Sequence, residues 1–184
     1  MTSPEERSLS LAEWLVLSLI CEEPRHGFAL ARLLGPTGSM GQVWRVPKPV
    51  IYRALQRLEQ LGLVRTAEQQ PSSQGPVRSL IEATPAGREA AADWLTRPAE
   101  HTRDVRSELL VKLALLDRAD ADPGPLLEAQ REHLTPVAEA LHDRLGAAEG
   151  FDRTLALWRY ETVSATVRFL DALRARNAGR APVR

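Results

Sequence analysis

Residues 46–62, Val-Pro-Lys-Pro-Val-Ile-Tyr-Arg-Ala-Leu-Gln-Arg-Leu-Glu-Gln-Leu-Gly, constrain the fold more than any other stretch of this chain. Ile51, Leu55 and Leu58, with Ala54 and Leu61 on the flank, recur at the period of a helix that buries one side. Tyr52, Arg53, Gln56 and Gln60 fall on the opposite side, with Arg57 at the border. Such a helix must pack on a core while presenting Arg, Gln and Tyr outward. Arg matches guanine edges, Gln matches adenine edges, and both reach phosphates, so this pattern suits a major-groove reader. An ordinary amphipathic surface helix has the same periodicity, and the helix alone does not separate the two.

The neighbouring sequence does. Ser10 followed by Glu13 is a capping box that opens an apolar helix through Leu19, ending near residues 22–24. A second, short helix is expected over 27–34, stopped by Gly35-Pro36, and residues 35–45 read as a glycine-rich loop or frayed turn. After the helix at 46–62, residues 63–69 shift to period two, 70–76 carry two prolines and a glycine, and 77–83 return to period two. That is a β-hairpin with a polar tip. Thr84-Pro85 starts a further helix, Thr as N-cap and Pro at the first helical position, which runs through Trp94-Leu95 towards Pro98. Three helices, a two-stranded ribbon and a helix make a winged helix-turn-helix, in which the last helix before the ribbon enters the major groove.

Charge is distributed accordingly. The 184-residue chain has a formal net charge of zero, yet residues 44–78 hold six basic side chains (Arg45, Lys48, Arg53, Arg57, Arg65, Arg78) against Glu59 and Glu68. Residues 98–184 hold 13 basic and 14 acidic side chains, so positive charge gathers around the candidate reading helix. Apolar residues make up 43%, enough for a folded core. Arg45, Lys48 and Arg78 are the candidate phosphate anchors, and Arg53 and Gln56 the candidate base readers, with Tyr52 and Arg57 beside them.

The second half is helical, with runs expected over 103–118, 126–148 and 152–176. The last run carries apolar side chains on more than one face, which marks a core or an interface. Three helices do not readily bury it alone. A homodimer interface is the expectation, and a closed intramolecular bundle the alternative. The expected architecture is therefore mainly α with a small β-hairpin: a DNA-binding domain over 1–97 and a helical dimerisation domain over 98–184.

Enzyme chemistry finds no footing. Cys21, His26, His101, His133 and His142 form no nucleophile signature, no metal-ligand spacing and no phosphate loop, so neither a catalytic site nor a metal or other cofactor is expected. One cysteine excludes an intramolecular disulfide and reads as a small core residue. The polar N-terminus lacks a signal-peptide pattern and no apolar run spans a bilayer, so a cytoplasmic protein without a membrane is expected. Basic charge is nearly all Arg, an associational hint of a GC-rich bacterial source.

The chain resembles the PadR-like transcriptional regulators over nearly its whole length. The matching pieces are Leu17-Ser-Leu-Ile-Cys-Glu-Glu-Pro-Arg-His-Gly-Phe-Ala-Leu30, Ile51-Tyr-Arg-Ala-Leu-Gln-Arg-Leu-Glu-Gln-Leu-Gly-Leu-Val64, Gly75-Pro76 and Thr84-Pro-Ala-Gly-Arg88. The helical second half, with Leu109, Leu110, Lys112 and Trp158, resembles the family less specifically. The resemblance implies a homodimeric winged-helix protein, usually a repressor at a palindromic operator. It implies recognition-helix roles for Tyr52 and Arg53, a turn glycine at Gly27, and release by an effector. Trp14, Trp94 and Trp158 are the candidate walls of a pocket for a small aromatic effector; packing in the core or at the dimer interface is the other role for each. Where family members place Ser or Asn before the recognition helix, this chain has Pro47-Lys48-Pro49; where they carry a tyrosine in the second wing strand, it has Ile81. A helical adaptor with an idle winged domain is the alternative function, and it predicts dimerisation without sequence-specific DNA binding.

Overall fold

The structure, a computed structural model, describes residues 9–70 and 78–178. Its elements run α1 (Leu11–Glu22), β1 (Arg25–His26), α2 (Gly27–Leu33), α3 (Lys48–Gln60), β2 (Val64–Gln70), β3 (Arg78–Ala83), α4 (Pro85–Thr96), α5 (Thr102–Arg118), α6 (Gly124–Ala147) and α7 (Gly150–Ala178). They divide into two compact units, one drawn from Met1–Leu95 with Leu110–Ala121, the other from Thr96–Leu109 with Asp122–Arg184.

The first unit is built on α1. The capping box is formed: the Ser10 amide donates to Glu13 Oε2 at 2.6 Å, and the Glu13 amide donates to Ser10 Oγ at 3.4 Å. Leu15 through Ile20 are all buried, so α1 is enclosed on every side. Ile51, Ala54, Leu55 and Leu58 of α3 pack into the same core with Leu30, Leu34, Val64, Ala91 and Trp94. Val111 and Leu115, from the second half of α5, also belong to it. Arg118, at the end of α5, donates to both carboxylate oxygens of Glu22, from Nε at 2.9 Å and from Nη2 at 2.7 Å. Arg25 reaches the same carboxylate at 2.9 Å.

The expected hairpin is one part of a three-stranded sheet of order β1-β3-β2. β2 and β3 pair antiparallel from Val64↔Ala83 to Gln70↔Arg78, with an irregularity between Thr66 and Glu68. β1 adds Arg25↔Ile81 and His26↔Leu80. Two residues are too short to show a period of two, so only the partner strand reveals β1. The hairpin tip, including Gly75-Pro76, lies outside the described residues.

α3 stops through a Schellman motif. Gly62 takes φ +69°, its amide donates to Glu59 O, and the Leu63 amide donates to Leu58 O, both at 2.9 Å. Leu61, expected on the apolar flank, sits past the last helical residue and is 40% exposed. Thr84 caps α4 as expected, its Oγ1 accepting from the Gly87 amide at 3.1 Å and donating to Gly62 O at 2.7 Å. This joins the start of α4 to the end of α3.

In the second unit α6 and α7 lie antiparallel, tied by Arg131 to Asp171 at 2.8 Å and by Arg174 to Glu128. Leu126, Leu127, Leu134, Val163 and Leu170 are buried. Gln130 is fully buried and holds the backbone of Ala99 from both sides: the Ala99 amide donates to Oε1 at 2.8 Å, and Nε2 donates to the Ala99 carbonyl at 3.2 Å. Among the described residues no helix is long and apolar enough to cross a membrane.

Candidate nucleic-acid interface

The exposed side of α3 follows from which side its core residues take. With Ile51, Ala54, Leu55 and Leu58 buried, Tyr52, Arg53, Gln56 and Gln60 are turned to solvent on one face. Arg45 and Lys48 are exposed just before it and in its first turn. The sequence therefore reads this face correctly residue by residue.

The Pro47-Lys48-Pro49 start needs no hydroxyl or amide cap. Pro47 is the N-cap residue with extended backbone and makes no side-chain cap. Its carbonyl instead accepts from the Val50 amide at 2.9 Å and the Ile51 amide at 3.2 Å. Residues 47 and 49 have no N–H, so two of the donors that a cap would serve are simply missing. The loop before α3 is compact, not frayed: Met40 and Val46 are buried, and the Val46 amide donates to Leu34 O at 3.2 Å. Nothing in a glycine-rich stretch signals that one methionine anchors it. Val43 and Trp44 stay 37% exposed beside the start of α3.

Not every basic residue of the patch is open. Arg57 is engaged with Glu13 of α1, Nε to Oε1 at 3.3 Å, so the border position is a strut between two helices. Arg65 pairs with Glu82, its register partner across the hairpin, at 2.6 Å. Thr66 Oγ1 donates to Glu59 of α3 at 3.3 Å, linking β2 to the reading helix. The backbone of Arg78 opens β3, and its side chain lies outside the described residues. Lys48 Nζ sits 6.0 Å from the Tyr52 ring centroid, the outer limit of a cation–π contact.

The corner between β1 and α2 also reaches this surface. His26 Nδ1 lies 3.0 Å from the Ser79 carbonyl oxygen of β3, and the His26 ring stacks on Phe28 with centroids 5.4 Å apart. Phe28 is 48% exposed and Tyr52 45%. Gly27, the turn glycine, does not need its backbone freedom, since the positive-φ glycines among the described residues are Gly62 and Gly150. What it needs is room: a Cβ there would lie 2.9 Å from Tyr52 Cε1 and 3.4 Å from Leu55 Cδ1.

The three candidate pocket tryptophans do not line one common pocket. Trp14 and Trp94 stack on each other within the first unit, centroids 5.3 Å apart and rings 4° from parallel. The buried Lys112 places Nζ 4.7 Å from the Trp94 centroid. Trp158 is 66% exposed on α7, in the second unit. A groove of about 280 Å³ between α6 and α7 is lined by Ala138, Glu139, His142, Asp143, Tyr160 and Ser164, and by none of the three tryptophans. Cys21 is half-buried and its thiol pKa is raised, by burial first and by Glu22, against the lowering effect of Arg88. That keeps it protonated and poorly nucleophilic.

Residues 16–93, from α1 into α4, match the model of the transcriptional regulator PadR-like family. Among solved structures the chain is similar to Bacillus subtilis PadR in complex with operator DNA, at 18% identity, covering 91% of this chain and 99% of that one, with a TM-score of 0.47. It is also similar to smu.1604c from Streptococcus mutans, at 14% identity over 89% and 98% of the two chains, TM-score 0.43. Bacillus subtilis PadR in complex with p-coumaric acid is similar at 17% identity over 91% and 98%, TM-score 0.42. No curated protein matches the chain.

Proposed function

We propose that this chain, whose residues 16–93 match the model of the transcriptional regulator PadR-like family, acts in the cytoplasm as a homodimeric repressor of a pseudo-palindromic operator. Two copies of α3 enter successive major grooves, which places half-sites about one turn, roughly 34 Å, apart. Arg53 and Gln56 read base edges with Tyr52 beside them, and Arg45, Lys48 and Arg78 anchor phosphates. Arg57, engaged with Glu13, seats the helix. Residues 1–97 carry the DNA-binding task and 98–184 the dimerisation, with core contributed to the former by residues 110–121.

The observation that carries this reading is the division of α3 into a buried side of Ile51, Ala54, Leu55 and Leu58 and an exposed side of Tyr52, Arg53, Gln56 and Gln60. Dimerisation is supported by α7, where Phe151, Leu157, Trp158 and Phe169 are all exposed, from 40% to 78%. Apolar, largely aromatic surface of that kind is what a second copy covers. Release by a planar organic effector is the remaining part of the reading. Trp158, on the same α7 surface, is the remaining candidate ring for it, whereas Trp14 and Trp94 already occupy each other's faces.

Selection of bound DNA from a random pool tests the function. An enriched inverted repeat is expected; enrichment of no sequence at all supports the adaptor alternative instead. Sedimentation of Trp158→Asp tests the interface: the variant is expected to be monomeric, and an unchanged dimer removes α7 from the interface. Quenching of tryptophan fluorescence with loss of operator binding identifies an effector, and silence across phenolic and other planar aromatic compounds argues for a regulator without one.

A further inference from the structure

We propose that Gly27 is a positioning residue of the DNA-reading surface: lacking a Cβ, it admits the Tyr52 ring against the head of α2 and so fixes where α3 presents its phenol. The inference rests on the DNA reading above and deepens it.

Gly27 is held from behind. Its neighbours Arg25 and His26 pair with Ile81 and Leu80 of β3, and His26 Nδ1 adds a contact with Ser79 O at 3.0 Å. The peptide at 27 therefore cannot back away without breaking the sheet. In front of it stand two side chains. A Cβ at 27 would lie 2.9 Å from Tyr52 Cε1, 3.3 Å from Tyr52 Cζ and 3.4 Å from Leu55 Cδ1. The Leu55 contact is an ordinary one. The Tyr52 contact is closer than carbon atoms tolerate, so one partner must move. Leu55 is buried and Tyr52 is 45% exposed, with solvent to swing into. The ring is the partner that yields.

The consequence is selective. A methyl at 27 costs the fold little, because it displaces a half-exposed side chain and strains no backbone. It shifts Tyr52, which precedes Arg53 and lies one turn before Gln56 on the reading face. A shifted ring alters what the groove meets at that point.

The test uses the full-length chain with Gly27→Ala, Tyr52→Ala and the double variant. In the free protein, the Tyr52 ring resonances should move in Gly27→Ala while the thermal midpoint stays at the wild-type value. On the operator selected by the wild type, Gly27→Ala should weaken binding on the order of tenfold, the scale of one lost base reading, and flatten preference at one symmetric pair of positions. In the Tyr52→Ala background the glycine change should add nothing, because the ring it displaces is gone. Unmoved Tyr52 resonances overturn the inference without reference to DNA. So do effects that multiply in the double variant, or a midpoint that falls alongside affinity in both backgrounds, which would make Gly27 a folding residue. If the wild type selects no sequence while the resonances do move, the failure belongs to the DNA reading and not to the placement of the ring.

Discussion

Replacing Glu13 by Gln removes a charge that serves two helices at once. In the native chain Oε2 accepts from the Ser10 amide at 2.6 Å and from Ser10 Oγ at 2.8 Å, closing the first turn of α1. Oε1 meets Arg57 of α3 at 3.3 Å. The Glu13 side chain is only 12% exposed, whereas Arg57 is 41% exposed. An amide keeps the shape and one acceptor but loses the charge assistance, which is about half of a bond worth roughly 1.5–3 kcal/mol. It also loses the favourable placement of an anion in the first turn, about 0.3–1 kcal/mol. Because Arg57 is partly solvated, its pair contributes at most about 1 kcal/mol. Together these put Glu13→Gln at about 2 kcal/mol less stable than wild type, read as a lower urea midpoint at unchanged slope. A double-mutant cycle with Arg57→Ala should return a coupling of about 0.5–1 kcal/mol. The reasoning is refuted by a midpoint unchanged in Glu13→Gln or by zero coupling. It is equally refuted if Arg57→Ala keeps full stability and loses operator discrimination, because Arg57 would then be a base contact and not a strut.

Gln130→Leu should cost about 2–4 kcal/mol in the same assay, since two backbone groups of the fully buried Ala99 lose their partners; a neutral result would mean that water replaces the amide. With Arg45, Lys48 and Arg78 on phosphates in both subunits, operator affinity should fall with a slope of roughly −5 in log K against log salt, and a flat response contradicts phosphate anchoring. Cys21 should alkylate far more slowly in the folded than in the urea-unfolded chain at mildly alkaline pH, because burial raises its pKa. The folded state holds that proton more tightly, so the associated stability is complete below the ordinary thiol range and is lost as pH rises through the native value. Cys21→Ala should therefore flatten the alkaline decline, and equal alkylation rates in the two states would contradict the burial argument.

What was legible in the sequence was local. Ser10 and Glu13 are three residues apart, Thr84 and Pro85 are adjacent, and the faces of α3 repeat within four residues, so their physics is complete in the segment that carries them. The winged-helix order followed from those pieces. Features made by distant partners were not legible. β1 exists only because Arg25 and His26 meet β3. Arg57 looks like any basic border residue until Glu13 is folded beside it, and Arg65 looks free until the hairpin register sets it opposite Glu82. The same holds for Trp14 and Trp94, which stand 80 positions apart in the sequence and stack face to face in the fold. Gly27 shows both cases. The family resemblance marks it as a turn glycine, but a Cβ there would meet the Tyr52 ring, and its backbone angle is not positive.

The central claim is that the exposed side of α3 reads base pairs, and Arg53 is where it is tested most directly. Affinity should be measured for wild type and Arg53→Ala against operators substituted one symmetric pair of positions at a time. The account predicts that the variant binds its best operator about 1–3 kcal/mol more weakly and becomes indifferent at one pair of positions that the wild type discriminates, keeping its preferences elsewhere. A variant that retains the full wild-type pattern of preferences, at wild-type affinity, would contradict it.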